Sequence, residues 1–117
     1  MNIEIITSQN FRKEAKKLLK KYPSLKEELE ELQKQLLQNP TIGTALGHDC
    51  YKIRVAIKSK GKGKSGGARV ITHLVVSIVP TTTCRQRIYL LSIYDKSEFE
   101  SITDKDLKKL IKEAQEI

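Results

Sequence analysis

Residues 70–79, VITHLVVSIV, are apolar almost without a break. A run of this kind reads as a strand at the centre of a sheet, with both faces at least partly covered. The segment before it, 51–59, alternates instead. Tyr51, Ile53, Val55 and Ile57 fall on one side, and Lys52, Arg54, Ala56 and Lys58 on the other. A third run, 88–95, closes the set, with the turn PTTTCRQ at 80–86 between. Three strands joined by short loops make an antiparallel meander. Whatever else the chain does, it must supply helices to cover that sheet.

Those helices are legible on either side. Residues 2–7 are rich in Ile and form a short leading strand. Thr7 and Ser8 can cap a helix whose apolar stripe is Phe11, Ala15, Leu18, Leu19 and Tyr22. Its other faces carry Arg12, Lys13, Lys16, Lys17, Lys20 and Lys21 against a single Glu14. Pro23 ends it. Ser24 and Glu27 have the spacing of a capping box. A second stripe, Leu25, Leu29, Leu32 and Leu36, runs to Asn39-Pro40. A basic helix followed by an acidic one suggests a hairpin with complementary flanks. Residues 41–49, with Gly43 and Gly47, read as a loop. Thr103 and Asp106 repeat the capping-box spacing before a last helix carrying Leu107, Leu110, Ile111 and Ala114. The predicted order is β-α-α-β-β-β-α: a single α+β domain over 1–117, with an N-terminal strand and helical hairpin, an antiparallel β-meander and a C-terminal helix, the helices on one face of the sheet.

Charge is distributed unevenly along this frame. Between Cys50 and Tyr94 lie nine of the 22 Lys/Arg and none of the 14 Asp/Glu: Lys52, Arg54, Lys58, Lys60, Lys62, Lys64, Arg69, Arg85 and Arg87. The net charge of +8 therefore resides in the meander. Lys52 and Arg54 share a sheet face about 7 Å apart by strand geometry, and Arg69 opens the neighbouring strand. Three cations converging on one open face repel one another, which makes a poor stability device. Either they spread into solvent or they await phosphate, which Arg binds in bidentate fashion. A polyanion is the implied partner, and RNA the preferred one. Lys58, Lys60, Lys62, Lys64, Arg85 and Arg87 are the remaining candidates for backbone contacts. With 5% aromatic residues, stacking is a minor term and charge carries the binding.

Other chemistries fit less well. GKGKSGG resembles a phosphate loop, but the first Gly of that pattern falls at Lys58, and the loop leads to a strand rather than a helix. The spacing of Cys50, Cys84, His48 and His73 matches no zinc pattern, so no metal and no cofactor are expected. His73 reads as a hydrogen-bonded core histidine. The N-terminus has no basic n-region, and apolar runs are far too short to span a bilayer. A soluble, cytoplasmic protein without membrane contact is expected.

The stretch YKIRVAIKSKGKGKSGGARVI, followed by IYLLSIYDKSE and a last helix, resembles the RelE/ParE superfamily of bacterial toxins. Within it, the chain is most similar to the RelE/HigB-type messenger-RNA interferases. The resemblance spans nearly the whole chain. Its most specific pieces are KIRVA, the Gly/Lys loop with the strand after it, and the IYLLSIYDKSE close. It implies the toxin of a type II toxin–antitoxin system. Such a protein is a ribosome-dependent endoribonuclease that cleaves mRNA by metal-free attack of the 2′-hydroxyl on the adjacent phosphate. Its implied partners are the ribosome, mRNA and a cognate antitoxin, through which the complex binds operator DNA.

Carried over residue by residue, Lys52 and Arg54 match the family's basic pair at the scissile phosphate. Arg69 matches the arginine that stabilises the charged transition state. Lys96 falls near the residue assisting the leaving 5′-oxygen, with Tyr94 beside it as a stacker or proton-transfer partner. In one respect the chain departs from the family. Relatives keep a catalytic Tyr or His near the C-terminus, and residues 97–117 contain neither. The base is then Lys52 or Tyr94, or the rate rests on ribosomal RNA and charge stabilisation. Two other readings share the frame: a ParE-type DNA gyrase inhibitor, which needs no catalytic cluster, and a non-catalytic RNA-binding module.

Overall fold

Strand β4, Ala68–Ile78, is the centre of the sheet, as its apolar composition requires. It pairs antiparallel with β3, Cys50–Val55, on one side and with β5, Cys84–Asp95, on the other. The leading strand β1, Asn2–Thr7, runs parallel to β5, and β2, Thr44–Gly47, runs antiparallel to β3. The order across the sheet is β1-β5-β4-β3-β2. Three helices complete an α+β fold: α1, Gln9–Lys21, α2, Leu25–Gln38, and α3, Asp104–Gln115. This computed structural model describes residues 2–58, 66–78, 84–98 and 101–115. The candidates Lys60, Lys62 and Lys64, and most of the expected turn at 80–86, lie outside them.

The structure corrects several expectations. Residues 41–49 are not a plain loop, because β2 forms there and adds a fourth strand to the meander. It turns into β3 through His48 and Asp49, both left-handed (φ 53° and 57°), the geometry of a two-residue type I′ hairpin. The strand is short and bounded by Gly43 and Gly47, so no alternation advertises it. The strand expected over 51–59 is continuous only to Val55, with an isolated bridge at Ile57, and the last strand starts at Cys84 rather than 88, taking part of the expected turn. The Ser24–Glu27 capping box does not form. Ser24 is already helical (φ −63°, ψ −17°), and its side chain makes no capping bond. The carbonyls of Tyr22 and Pro23 take the N–H groups of Leu25 and Lys26 instead (3.0 and 3.3 Å). Two other caps form as expected: Ser8 Oγ accepts from Phe11 N (3.0 Å), and Thr103 Oγ1 accepts from Asp106 N (3.1 Å).

The helices do not share one face. Those of the N-terminal hairpin bury Phe11, Leu18, Leu25, Leu32 and Leu36 against Ile53, Val55, Val70, Ile88, Leu90 and Ile93. On the opposite face α3 buries Leu107 against a smaller cluster of Cys50, Ile71, Leu91 and Tyr94. The strand alternation explains this: β4 offers Val70 to one side and Ile71 to the other, and both are fully buried. Among the described residues no helix is long and apolar enough to cross a membrane.

Candidate RNA-contact face

The register of the three central strands places Arg54 opposite Arg69, and Arg69 opposite Tyr94. These side chains form one row across β3, β4 and β5, on the face that carries α3. Neighbours in such a row have Cβ atoms about 5 Å apart. Lys52 stands in the next row, opposite Ile71, which is opposite Ser92. Lys96 follows just beyond the end of β5, exposed, with its backbone N–H on the Gly67 carbonyl (3.0 Å). Four of the five catalytic candidates thus share one sheet face, and the fifth lies where the strand leaves it.

The row is not a solvated fringe. Arg54 is exposed, but Arg69 is only 5% exposed and Tyr94 only 6%. Arg69 Nη1 donates to the Ala68 carbonyl (3.1 Å). Burial, then the adjacent Arg54, lower the guanidinium's pKa, while Tyr94 acts in the opposite sense. Burial raises the Tyr94 phenol, partly countered by Arg69. A phenol held above its ordinary range is an O–H donor at neutral pH and a poor base. The environment of Tyr94 therefore disfavours it as a base. Arg54 shares a cleft of about 110 Å³ with Glu28 and Glu31 of α2, so acidic groups border that end of the row.

The turn presenting Lys96 is held by Asp95, a residue no sequence motif singled out. Its Oδ1 accepts from Ser97 N (3.0 Å) and Ser97 Oγ (2.9 Å), and Tyr22 O–H donates to its Oδ2 (3.3 Å). A buried Asp two residues before a Ser is the local signal for such a turn. Gly67 is also needed here, because a Cβ at this position would collide with the Val55 carbonyl.

The other expected contacts scatter. Lys58 lies past the end of β3 and pairs with Glu28 of α2 (3.2 Å), the same carboxylate that borders Arg54. Arg85 and Arg87 do lie on the row's face, opposite Ser77 and Val75. Arg87 is roughly 20 Å and Arg85 roughly 30 Å from Tyr94 along β5, and α3 crosses between. Asp104, at the start of α3, meets His48 Nε2 at the hairpin tip (2.8 Å). Leu107 sits over Ile71 and Leu91, and Leu110 and Glu113 reach a cleft beside Asn10 and Glu14.

Beneath α3, Cys50 Sγ lies 3.4 Å from His73 Nδ1. His73 is the buried, hydrogen-bonded histidine its place in the central strand suggests. Burial lowers its pKa, against hydrogen bonds to the backbone of His48 and Asp49. Burial, with Asp49, pushes the Cys50 thiol up to about 12, so it is no nucleophile at neutral pH. No protein-family model matches this chain, and no solved structure matches it significantly.

Proposed function

We propose that this chain is a ribosome-dependent endoribonuclease of the RelE/HigB type, the toxin of a type II toxin–antitoxin pair. The observation that carries the proposal is the row Arg54–Arg69–Tyr94 flanked by Lys52: two guanidiniums, a protonated phenol and an amine on one face. An N-terminal strand, a helical hairpin, a meander and a C-terminal helix are also the parts expected of a RelE-like topology, here with one extra edge strand.

In this reading Arg54 and Arg69 clamp the scissile phosphate of the message. Lys52 in its neutral amine form, or ribosomal RNA, takes the proton from the 2′-hydroxyl, whose oxygen attacks the phosphorus. The P–O5′ bond breaks, leaving a 2′,3′-cyclic phosphate and a 5′-hydroxyl. Arg69 is desolvated, so its interaction with the extra negative charge of the transition state is strong. Tyr94 or Lys96 returns a proton to the leaving 5′-oxygen. The cognate antitoxin is an acidic protein that neutralises this face. Arg85 and Arg87, beyond α3, contact flanking RNA or ribosomal RNA.

Primer extension on a reporter message in a bacterial translation system tests the proposal. Cuts should appear with wild-type protein and ribosomes, and vanish with Arg69→Ala or without ribosomes. An intact message with wild-type protein rejects it. Growth arrest with DNA damage and unimpaired Arg69→Ala toxicity would point to gyrase instead. Salt-sensitive RNA binding without products would point to a binding module.

A further inference from the structure

Tyr94 belongs to the cationic row only because β5 contains a bulge. Along β5, Arg85, Arg87 and Tyr89 face α3, opposite Ser77, Val75 and His73. Strict alternation would continue with residues 91, 93 and 95 on that face and turn 94 to the hairpin side. The pairing instead steps from Thr72↔Leu90 to Ile71↔Ser92, leaving Leu91 as the extra residue. Beyond it the phase is inverted. Ser92 and Tyr94 join the α3 face, while Ile93 enters the core under α1 and α2.

The bulge lies where β5 loses its outer neighbour. Strand β1 ends at Thr7, opposite Leu90, so β5 is an open edge from Leu91 onward. Side chains of the first two turns of α1 take the place of a strand. Ser8 N–H donates to the Leu90 carbonyl (3.0 Å), and Ser8 Oγ to the Leu91 carbonyl (3.2 Å). Asn10 Nδ2 donates to the same Leu91 carbonyl (3.0 Å) and to Glu14 Oε1 (2.7 Å). That Glu14 oxygen also accepts from Ser92 Oγ (2.8 Å) and Ile93 N (3.4 Å). Glu14 is the one acidic residue of an otherwise basic helix. A lone carboxylate there has no use on a solvated basic flank, whereas here it gathers the polar groups of the bulge.

We infer that Asn10 and Glu14 are positioning residues: they lock the β5 bulge and thereby hold Tyr94 in the row with Arg69. They touch no reacting atom, and their effect on chemistry rests on the endoribonuclease reading above. Their effect on the placement of Tyr94 does not. Without the lock, the edge can slip by one residue, and a one-residue slip sends Tyr94 to the other face.

The test uses the full chain with ¹³C-labelled tyrosine rings, the Tyr94 signal being identified by its loss in Tyr94→Phe. In the wild type the Tyr94 phenol titrates above the ordinary tyrosine range. In Glu14→Ala it should move further up, because the other face is the apolar core and Arg69, which lowers it, is left behind, and in Glu14→Gln, which keeps the accepting oxygen, it should stay near the wild-type position. In the ribosome assay Glu14→Ala should lower kcat by roughly 10- to 100-fold, the scale of a displaced catalytic group, with KM nearly unchanged. Glu14→Gln should recover most of the rate. A Tyr94 signal unmoved in Glu14→Ala overturns the inference. A moved signal in a protein whose wild type cuts no message sustains the positioning role and rejects the nuclease. If Glu14→Ala does not fold, Asn10→Ala removes one donor from the Leu91 carbonyl and leaves the Glu14–Ser92 bond. The same shift is expected there, and its absence is equally fatal.

Discussion

Under α1 and α2 the sheet presents Ile53, Val55, Val70, Ile88, Leu90 and Ile93, all buried against leucines and Phe11. Under α3 it presents Cys50, Ile71 and Leu91 beside Lys52, Arg54 and Arg69. The first face is a continuous apolar layer, and its burial stabilises the fold. The second gives part of its area to one desolvated cation, Arg69, whose repulsion with the exposed Arg54 beside it opposes folding. The difference teaches how one sheet can divide its labour: the same three strands supply a core on one side and the proposed binding surface on the other. Substitutions on the two faces should therefore have effects of different kinds.

The largest loss of stability belongs to the first face. Leu36→Ala should cost about 3–5 kcal/mol, the range for a fully buried leucine. Urea denaturation measures it, and a loss below about 1 kcal/mol would mean this face is not the principal core. Arg69→Leu should behave in the opposite way. Cleavage should fall roughly 100- to 1,000-fold, as for loss of a transition-state donor. Stability should be unchanged or rise by about 1 kcal/mol, because a buried cation beside another is removed. A clear drop in melting temperature would break the contrast between the faces. Leu107→Ala, in the smaller cluster, should cost about 2 kcal/mol, near the low end for leucine, since a helix on an open face can settle inward.

The pH response sharpens the comparison further. His73 lies under α3, and its folded pKa is lowered, so the fold prefers neutral imidazole. The unfolded chain then binds more protons, and the contribution is present above the ordinary value of 6.5 and lost as pH falls through the folded value. Stability should decline on acidification below 6.5 and level off once pH is below the folded value, and His73→Gln should flatten the decline in denaturation curves recorded from pH 7 to 5. A curve unaltered by the substitution would assign the acid response elsewhere. The smallest effect belongs to Lys58, whose ammonium is 72% exposed in its pair with Glu28. Lys58→Ala should change stability by less than about 1 kcal/mol. It should also leave RNA affinity nearly intact if binding is confined to the α3 face. A large affinity loss would extend the binding surface around the end of β3.

Much of the fold was legible because its signals are local. The Ile-rich start, the leucine spacing of α2, the apolar run of β4 and the Thr103 cap each lie within a few residues of one another. So did the candidate site in part: Lys52 and Arg54 alternate on one strand, and Arg69 opens the next. Strand β2 escaped because four residues between glycines carry no period. The alternation does carry past Val55, since Ile57 is buried in the same core, but the pairing of Lys58 with Glu28 was not legible because that partner lies on a different element.

The sequence by itself determined the three helices and the four longer strands to within a few residues, and that the positive charge is concentrated in the meander. These follow from periodicity and composition, which act over one or two turns or strand repeats. Only the tertiary structure decided which cations share a surface. It put α3 on the second face, between the Arg69 row and Arg85–Arg87, and it inverted the phase of β5 so that Tyr94 stands beside Arg69. A bulge depends on what its edge meets, and here it meets Ser8, Asn10 and Glu14, some 80 residues away in sequence. No local pattern can encode that contact, because its energy exists only when both segments are in place.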